Sequence, residues 1–116
     1  MTELPQDCEP CEGGIPPLSA GEVAAHMANL PLWTLDAPYI RRRFRLANFR
    51  AALAWVNRVG MLAEEQAHHP DFHITSWNLV ELVLWTHAID GLSVNDFVLA
   101  RKIDDLAARD GLGSGT

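Results

Sequence analysis

Basic side chains are scarce in this sequence, and the scarcity removes one broad class of function. Its 116 residues carry 9 lysines and arginines against 15 aspartates and glutamates, a formal charge of −6 at pH 7. A protein whose main partner is nucleic acid needs diffuse basic charge to neutralise phosphates, so no nucleic-acid partner is expected. Long apolar runs are missing as well. Although 48% of the residues are apolar, no stretch approaches the roughly 20 residues that cross a bilayer. No signal-peptide pattern opens the chain, and the expectation is a cytoplasmic protein without a membrane partner. Cysteine is nearly absent: Cys8 and Cys11 are the only two and form a lone Cys-x-x-Cys. A structural zinc site takes four ligands, and no second pair follows at suitable spacing. A redox pair calls for a strand-to-helix setting, whereas Pro10, Gly13, Gly14, Pro16 and Pro17 mark irregular chain. Two reduced thiols are the plain expectation; a metal shared between subunits and an occasional disulfide are the alternatives.

What is present suffices for one compact domain and leaves no room for a second. Residues 1–18 read as a flexible N-terminal arm, 19–110 as the domain, and 111–116 as a disordered tail. Ser19 with Glu22 fits a capping box, opening a helix with Val23, Met27 and Leu30 on one face, and Pro31 stops it. A short strand is expected around Trp33–Leu35, then a turn at Asp36-Ala37-Pro38. From Tyr39 to Leu46 the residues alternate, with Ile40, Phe44 and Leu46 on one face and Arg41, Arg43 and Arg45 on the other. That arginine stripe is either a solvated strand face or a contact for an anionic partner. Asn48 is a cap for a long helix from Phe49 to about Ala67, whose main stripe is Phe49, Ala52, Leu53, Val56, Gly60 and Ala63. Trp55, Val59 and Leu62 lie beside that stripe, more apolar surface than one small sheet should need, which predicts symmetric self-association.

Phe72–Ser76 and Asn78–Thr86 read as two further strands, either a hairpin with an unconvincing Trp77-Asn78 turn or one run with a bend. In the second, Val80, Leu82 and Leu84 share a face opposite Glu81, Val83 and Trp85, and this last strand is a candidate unpaired edge. Gly91 breaks the chain. Ser93 with Asp96 forms a second capping box before a helix carrying Leu99, Ile103 and Leu106. The fold class is therefore α+β: a four-stranded antiparallel sheet with three helices on one face, in the order α-β-β-α-β-β-α.

The chemistry concentrates in one stretch, which holds Glu64, His68, His69, Pro70, Trp77, His87 and Asp96. Histidine can give and take a proton near neutral pH, and a carboxylate can orient it. Neighbours in sequence point apart on a helix or strand, so His68-His69 marks the end of an element, and Pro70 disfavours helical geometry at His69. The sheet can return His87 to that pair, giving an acid–base pocket without a nucleophile. Metal chelation is unattractive, because no His-x-His or His-x₃-His spacing supports it. Taken singly, Asp96 reads as a helix cap and Glu64 as a solvated helix residue. His26 and His73 lie outside the cluster and read as surface residues.

Taken jointly, the pattern is an acidic residue, three intervening residues, His-His-Pro, an aromatic, a second His and an Asp. At the spacing of Glu64, His68-His69-Pro70, Trp77, His87 and Asp96 it resembles the pterin-4a-carbinolamine dehydratases. The resemblance spans roughly residues 18–108. It implies dehydration of 4a-hydroxytetrahydropterin to quinonoid dihydropterin, without metal or organic cofactor, in recycling the pterin of aromatic amino acid hydroxylases. It implies His68 and His87 as the proton-transfer pair and His69 mainly as a pterin holder. Pro70, Trp77 and Thr86 would join His69 in binding substrate, Asp96 would orient His87, and Glu64 would orient His68. The family also forms homodimers and homotetramers. Some members act as partners of transcription factors or as RuBisCO assembly factors, so a non-catalytic binding role is the alternative.

Overall fold

The computed structural model describes residues 4–9 and 16–112. Its elements are α1 (Ala20–Met27), β1 (Thr34–Asp36), β2 (Tyr39–Arg45), α2 (Phe49–Gln66), β3 (Asp71–Thr75), β4 (Leu79–Leu84) and α3 (Val94–Arg109), with a short 3₁₀ turn at His87–Ile89. This is the expected α-β-β-α-β-β-α order. Helix α1 begins where Ser19 and Glu22 exchange bonds: the hydroxyl accepts the Glu22 N–H at 3.2 Å, and the carboxylate accepts the Ser19 N–H at 2.9 Å. The Asn48 side chain accepts the Ala51 N–H at 2.8 Å and so caps α2.

The antiparallel sheet runs β1-β2-β4-β3. The last strand is therefore central and paired on both sides, and β1 and β3 are the edges, which corrects the expectation of an unpaired β4. Strands β3 and β4 do form a hairpin, with Thr75 opposite Leu79. Ser76 and Trp77 make its turn at φ values of 49° and 56°, and Asn78 ties it to β2 by donating its side-chain amide to the Leu46 carbonyl.

Ile40 and Phe44 of β2 and Val80, Leu82 and Leu84 of β4 fill one face of the sheet, and α2 and α3 cover it with Ala52, Trp55, Val59, Leu99 and Ile103. The helical stripe on α2 is thus rotated from the sequence reading. Trp55 and Val59 are core, whereas Phe49 and Leu53 of the supposed main stripe are 49% and 42% exposed. Both stripes fit a 3.6-residue period. The wide indole of Trp55, packed 4.9 Å from the Phe44 ring, fills space that a narrower stripe would leave empty.

Arg42 shares the core face with Ile40 and Phe44. Its guanidinium is buried, meets Asp104 Oδ1 at 2.5 Å and lies 4.2 Å over the Phe44 ring. The same Asp104 oxygen accepts the Trp33 indole N–H at 2.8 Å. On the open face, Arg41 pairs with Asp36 at 3.5 Å and Arg43 with Glu81 at 2.9 Å. His26 is a second departure: it is buried, its ring stacked 4.8 Å from that of Phe97. No helix among the described residues is long and apolar enough to cross a membrane.

Residues 4–9, read from sequence as part of an arm outside the domain, lie against it, with Leu4 and Cys8 packed on the core. Cys11 and residues 113–116 of the expected tail lie outside the described residues.

Candidate active site

Helix α2 ends through a backbone feature that composition alone does not announce. Ala67 adopts a left-handed conformation at φ 54°, which costs a residue bearing a Cβ roughly 1–2 kcal/mol. Its N–H still bonds back to the last turn, and the His68 N–H reaches the Ala63 carbonyl at 3.2 Å. Beyond this reversal the two adjacent imidazoles part company. His68 turns inward beneath the start of α3, and His69 folds outward along the last turn of α2.

His68 Nε2 lies 2.6 Å from Asp96 Oδ1. Asp96 is fully buried, and its second oxygen accepts the Thr86 hydroxyl at 2.8 Å and the Ser93 N–H at 2.9 Å. Since the Thr86 hydroxyl has one proton and gives it to Asp96, it must accept from the Ser93 hydroxyl 2.7 Å away. A buried carboxylate needs donors on both oxygens, and a loop backbone, a strand-end hydroxyl and an imidazole supply them. With Asp96 as acceptor, His68 carries its proton on Nε2 and keeps Nδ1 as its own acceptor. His69 Nε2 meets Glu64 Oε1 at 2.8 Å. Both groups are more than half exposed, and a pair so placed orients without adding much stability.

These partnerships exchange the expected ones. Asp96 orients His68 rather than His87, and Glu64 orients His69 rather than His68. One turn of uninterrupted helix from Glu64 would have led to His68; the reversal at Ala67 takes His68 away from it and lets His69 fold back. His87 instead opens the 3₁₀ turn after β4, exposed, with its ring 4.1 Å from that of Trp85. Trp85 rests edge-on against Tyr39 at 5.3 Å. A two-way bridge between Thr86 and Gly91 closes the loop carrying His87. Gly91 is required there, because a Cβ would stand 2.8 Å from the Pro17 side chain.

His68, His69 and His87 all line one cleft of about 540 Å³, together with Trp85 and Thr86. That volume suits a small bicyclic ligand. Two expected substrate contacts do not line it. Trp77 stands at the tip of the β3–β4 hairpin, 66% exposed, and Pro70 is buried at the entry to β3. The rest of the lining includes Cys8, which the sequence places in a loose arm, and Glu9, Gln66 and Asn95, which the sequence reading did not single out. Asn95 precedes Asp96 at a helix start, and only its burial, invisible in sequence, separates it from an ordinary polar residue. Burial and the negative charge of Asp96 push the Cys8 thiol up to about 11. Cys8 is therefore a protonated thiol near neutral pH, poorly suited to act as a nucleophile. Among the described residues no group of three or more His, Cys, Asp or Glu is arranged to hold a metal ion.

The sequence pattern of the Pterin 4 alpha carbinolamine dehydratase family matches residues 16–106, which takes in every residue of the imidazole cluster. The chain belongs to that family. Among provisionally named pterin-4-alpha-carbinolamine dehydratases, one from Rubrobacter xylanophilus is 50% identical over 91% of this chain and 100% of its own length. Another from Methylococcus capsulatus is 44% identical over 89% and 91%. The crystal structure of a transcriptional coactivator/pterin dehydratase from Brucella melitensis is 28% identical and superposes with a TM-score of 0.70, covering 78% of this chain and 98% of that one. A pterin dehydratase-like protein identified as a RuBisCO assembly factor in the alpha-carboxysome shares the fold at 16% identity and a TM-score of 0.50, over 72% and 89% of the two chains. The pterin-4-alpha-carbinolamine dehydratase fold thus serves proteins described in different terms, and the groups in the cleft bear on which description suits this one.

Proposed function

We propose that this chain removes water from 4a-hydroxytetrahydropterin to give quinonoid dihydropterin, by proton transfer between the substrate and His68 and His87. One observation carries the reading: three imidazoles face a single cleft, and the most buried of them is backed by the fully enclosed carboxylate of Asp96. The reaction breaks the C4a–O bond, removes the proton from N5 and forms the C4a=N5 double bond. Hydroxide is a poor leaving group, so the oxygen must take a proton and depart as water. His68, with Nε2–H directed at Asp96, has Nδ1 available as the base for N5–H. Asp96 then stabilises the imidazolium that forms, as a carboxylate does behind any histidine base. His87 is the acid, exposed on the 3₁₀ turn with its ring 4.1 Å from that of Trp85. His69, held by Glu64 at the rim, helps retain the pterin.

The purified protein should accelerate dehydration of synthetic carbinolamine in a stopped-flow assay, equally with and without a chelator. A rate no greater than the spontaneous one would remove the enzymatic reading and leave a binding role on the same fold. We read the protein as cytoplasmic, serving a pterin-dependent hydroxylase, and as a homodimer or homotetramer. The self-association rests on Phe49, Leu53 and Met61, which remain exposed on α2, with Met61 at 72%. Light scattering at micromolar concentration should give a mass at least twice the 12.8 kDa chain; a monomer alone would refute it.

A further inference from the structure

Part of the cleft that holds the histidines is lined by the N-terminal residues Cys8 and Glu9, and two buried amides hold them there. Gln66, two residues before His68, accepts the Cys8 N–H at 2.8 Å and donates to Asp7 Oδ1 at 3.1 Å. Asn95, next to Asp96, accepts the Glu9 N–H at 2.8 Å and donates to the Glu9 carbonyl at 2.5 Å. Further back, Arg101 donates to the carbonyls of Pro5 and Gln6 at 3.0 and 2.9 Å. A side-chain amide that satisfies both backbone groups of one residue fixes that residue as pairing in a sheet would. The backbone of Glu9 is thereby set at the cleft edge, and its freedom is confined to its own side chain.

Glu9 is exposed and is one of the residues that line the cleft, and its carboxylate meets no cation among the described residues. A carboxylate carried on a fixed backbone matches a ligand with two parallel N–H donors, because carboxylates accept such pairs in bidentate fashion. The pyrimidine edge of a reduced pterin offers that pair in N3–H and the 2-amino group. We infer that Glu9 grips this edge of the pterin, and that Asn95 and Gln66 are positioning residues for the segment that carries it. Glu65 also borders the cleft, but it lies on α2 and equally borders the separate groove between α2 and α3. The inference rests on the dehydratase reading and deepens it, by assigning the substrate's orientation. With the pyrimidine edge held at Glu9, the N5–C4a side of the ring is left to the imidazoles of the same cleft.

The test uses the full-length protein, calorimetric binding of a stable 7,8-dihydropterin, and stopped-flow dehydration. Glu9→Gln keeps the size of the side chain but sets an amide donor against a ligand donor. It should raise both the dissociation constant and KM by about 10-fold or more, the scale of a lost charge-assisted bond, with kcat retained. The penalty should shrink for an analogue lacking the 2-amino group, an outcome that a merely structural role for Glu9 would not produce. Asn95→Ala should speed hydrogen exchange at the Glu9 amide and raise KM while kcat is kept. If wild type dehydrates the substrate and Glu9→Gln binds and turns over like wild type, the assignment of Glu9 is wrong and the dehydratase reading stands. If wild type neither binds the dihydropterin nor accelerates the dehydration, both fall together. Unchanged exchange at the Glu9 amide in Asn95→Ala would overturn the positioning role.

Discussion

Asp96→Asn should lower kcat/KM by about 100-fold or more while leaving the protein folded, because one proton ends up on the wrong nitrogen. The Asp96 oxygen that accepts the Thr86 hydroxyl and the Ser93 N–H faces two donors. An asparagine has one oxygen, and it will be drawn to that side. Its NH₂ group then points at His68 Nε2, which lies 2.6 Å from the other Asp96 oxygen. Facing a donor, Nε2 must become the acceptor, and the ring proton moves to Nδ1. His68 then presents N–H to the cleft where the proposed reaction needs a lone pair, and no imidazolium-stabilising charge remains behind it. The side chain keeps its shape and the helix start keeps its acceptor for Ser93, so the melting temperature should fall little beside the loss of rate. Nitrogen chemical shifts of the His68 ring, measured with and without the substitution, read the tautomer directly. Wild-type turnover in Asp96→Asn would take the carboxylate out of the mechanism. A rate loss with the tautomer unchanged would exclude proton relocation as its cause.

Much of this arrangement is legible in the sequence, and the parts that are not share a cause. Alternation in Tyr39–Leu46 and Asn78–Thr86 places Ile40, Phe44, Val80, Leu82 and Leu84 on the buried face because a strand's side-chain period leaves one choice. Ser19 and Asn48 announce helix starts because their side chains satisfy amides that otherwise lack partners. The face of α2 is less determined. Phe49 and Leu53 make as good an apolar stripe as Trp55 and Val59, and the decision lies in what Phe44 and the rest of the sheet present across the gap. Strand order suffers the same way, since nothing local says that β4 inserts between β2 and β3.

In the site, the identities of the histidines and carboxylates are readable, but their pairing is not. Pairing depends on a left-handed residue at Ala67, where no glycine or asparagine gives warning. The N-terminal wall is the least legible part. Pro10, Gly13 and Gly14 read as loose chain, and what anchors Cys8 and Glu9 is a buried amide on each of two distant helices, at separations of 58 and 86 residues.

His68→Ala and His87→Ala should each reduce the catalysed rate by about 10-fold or more, and the double variant should fall to the spontaneous rate without multiplying the two losses. The two rings cannot replace each other. His68 is enclosed, with a side chain 11% exposed and its Nε2 committed to Asp96, so it can exchange protons with the substrate only through Nδ1. His87 is exposed beside Trp85 and can be re-protonated by solvent between turnovers. That difference makes the losses unequal. Water can stand in for a missing exposed acid more easily than for a base enclosed behind a carboxylate, so His68→Ala should be the worse of the two. Added imidazole should restore part of the rate to His87→Ala and less to His68→Ala, since only the exposed position is open to a diffusing donor. His69→Ala should behave differently from both, raising KM with kcat nearly kept, because in the proposed role His69 only holds the pterin at the rim and so binds ground state and transition state alike. A background rate persists in all of these variants, since the nitrogen lone pair of a carbinolamine can itself expel water, and it compresses every measured ratio. Single-turnover experiments at high enzyme concentration separate the catalysed term from that background. A His68→Ala, His87→Ala double variant that retained full activity there would show that protons reach the substrate by another route.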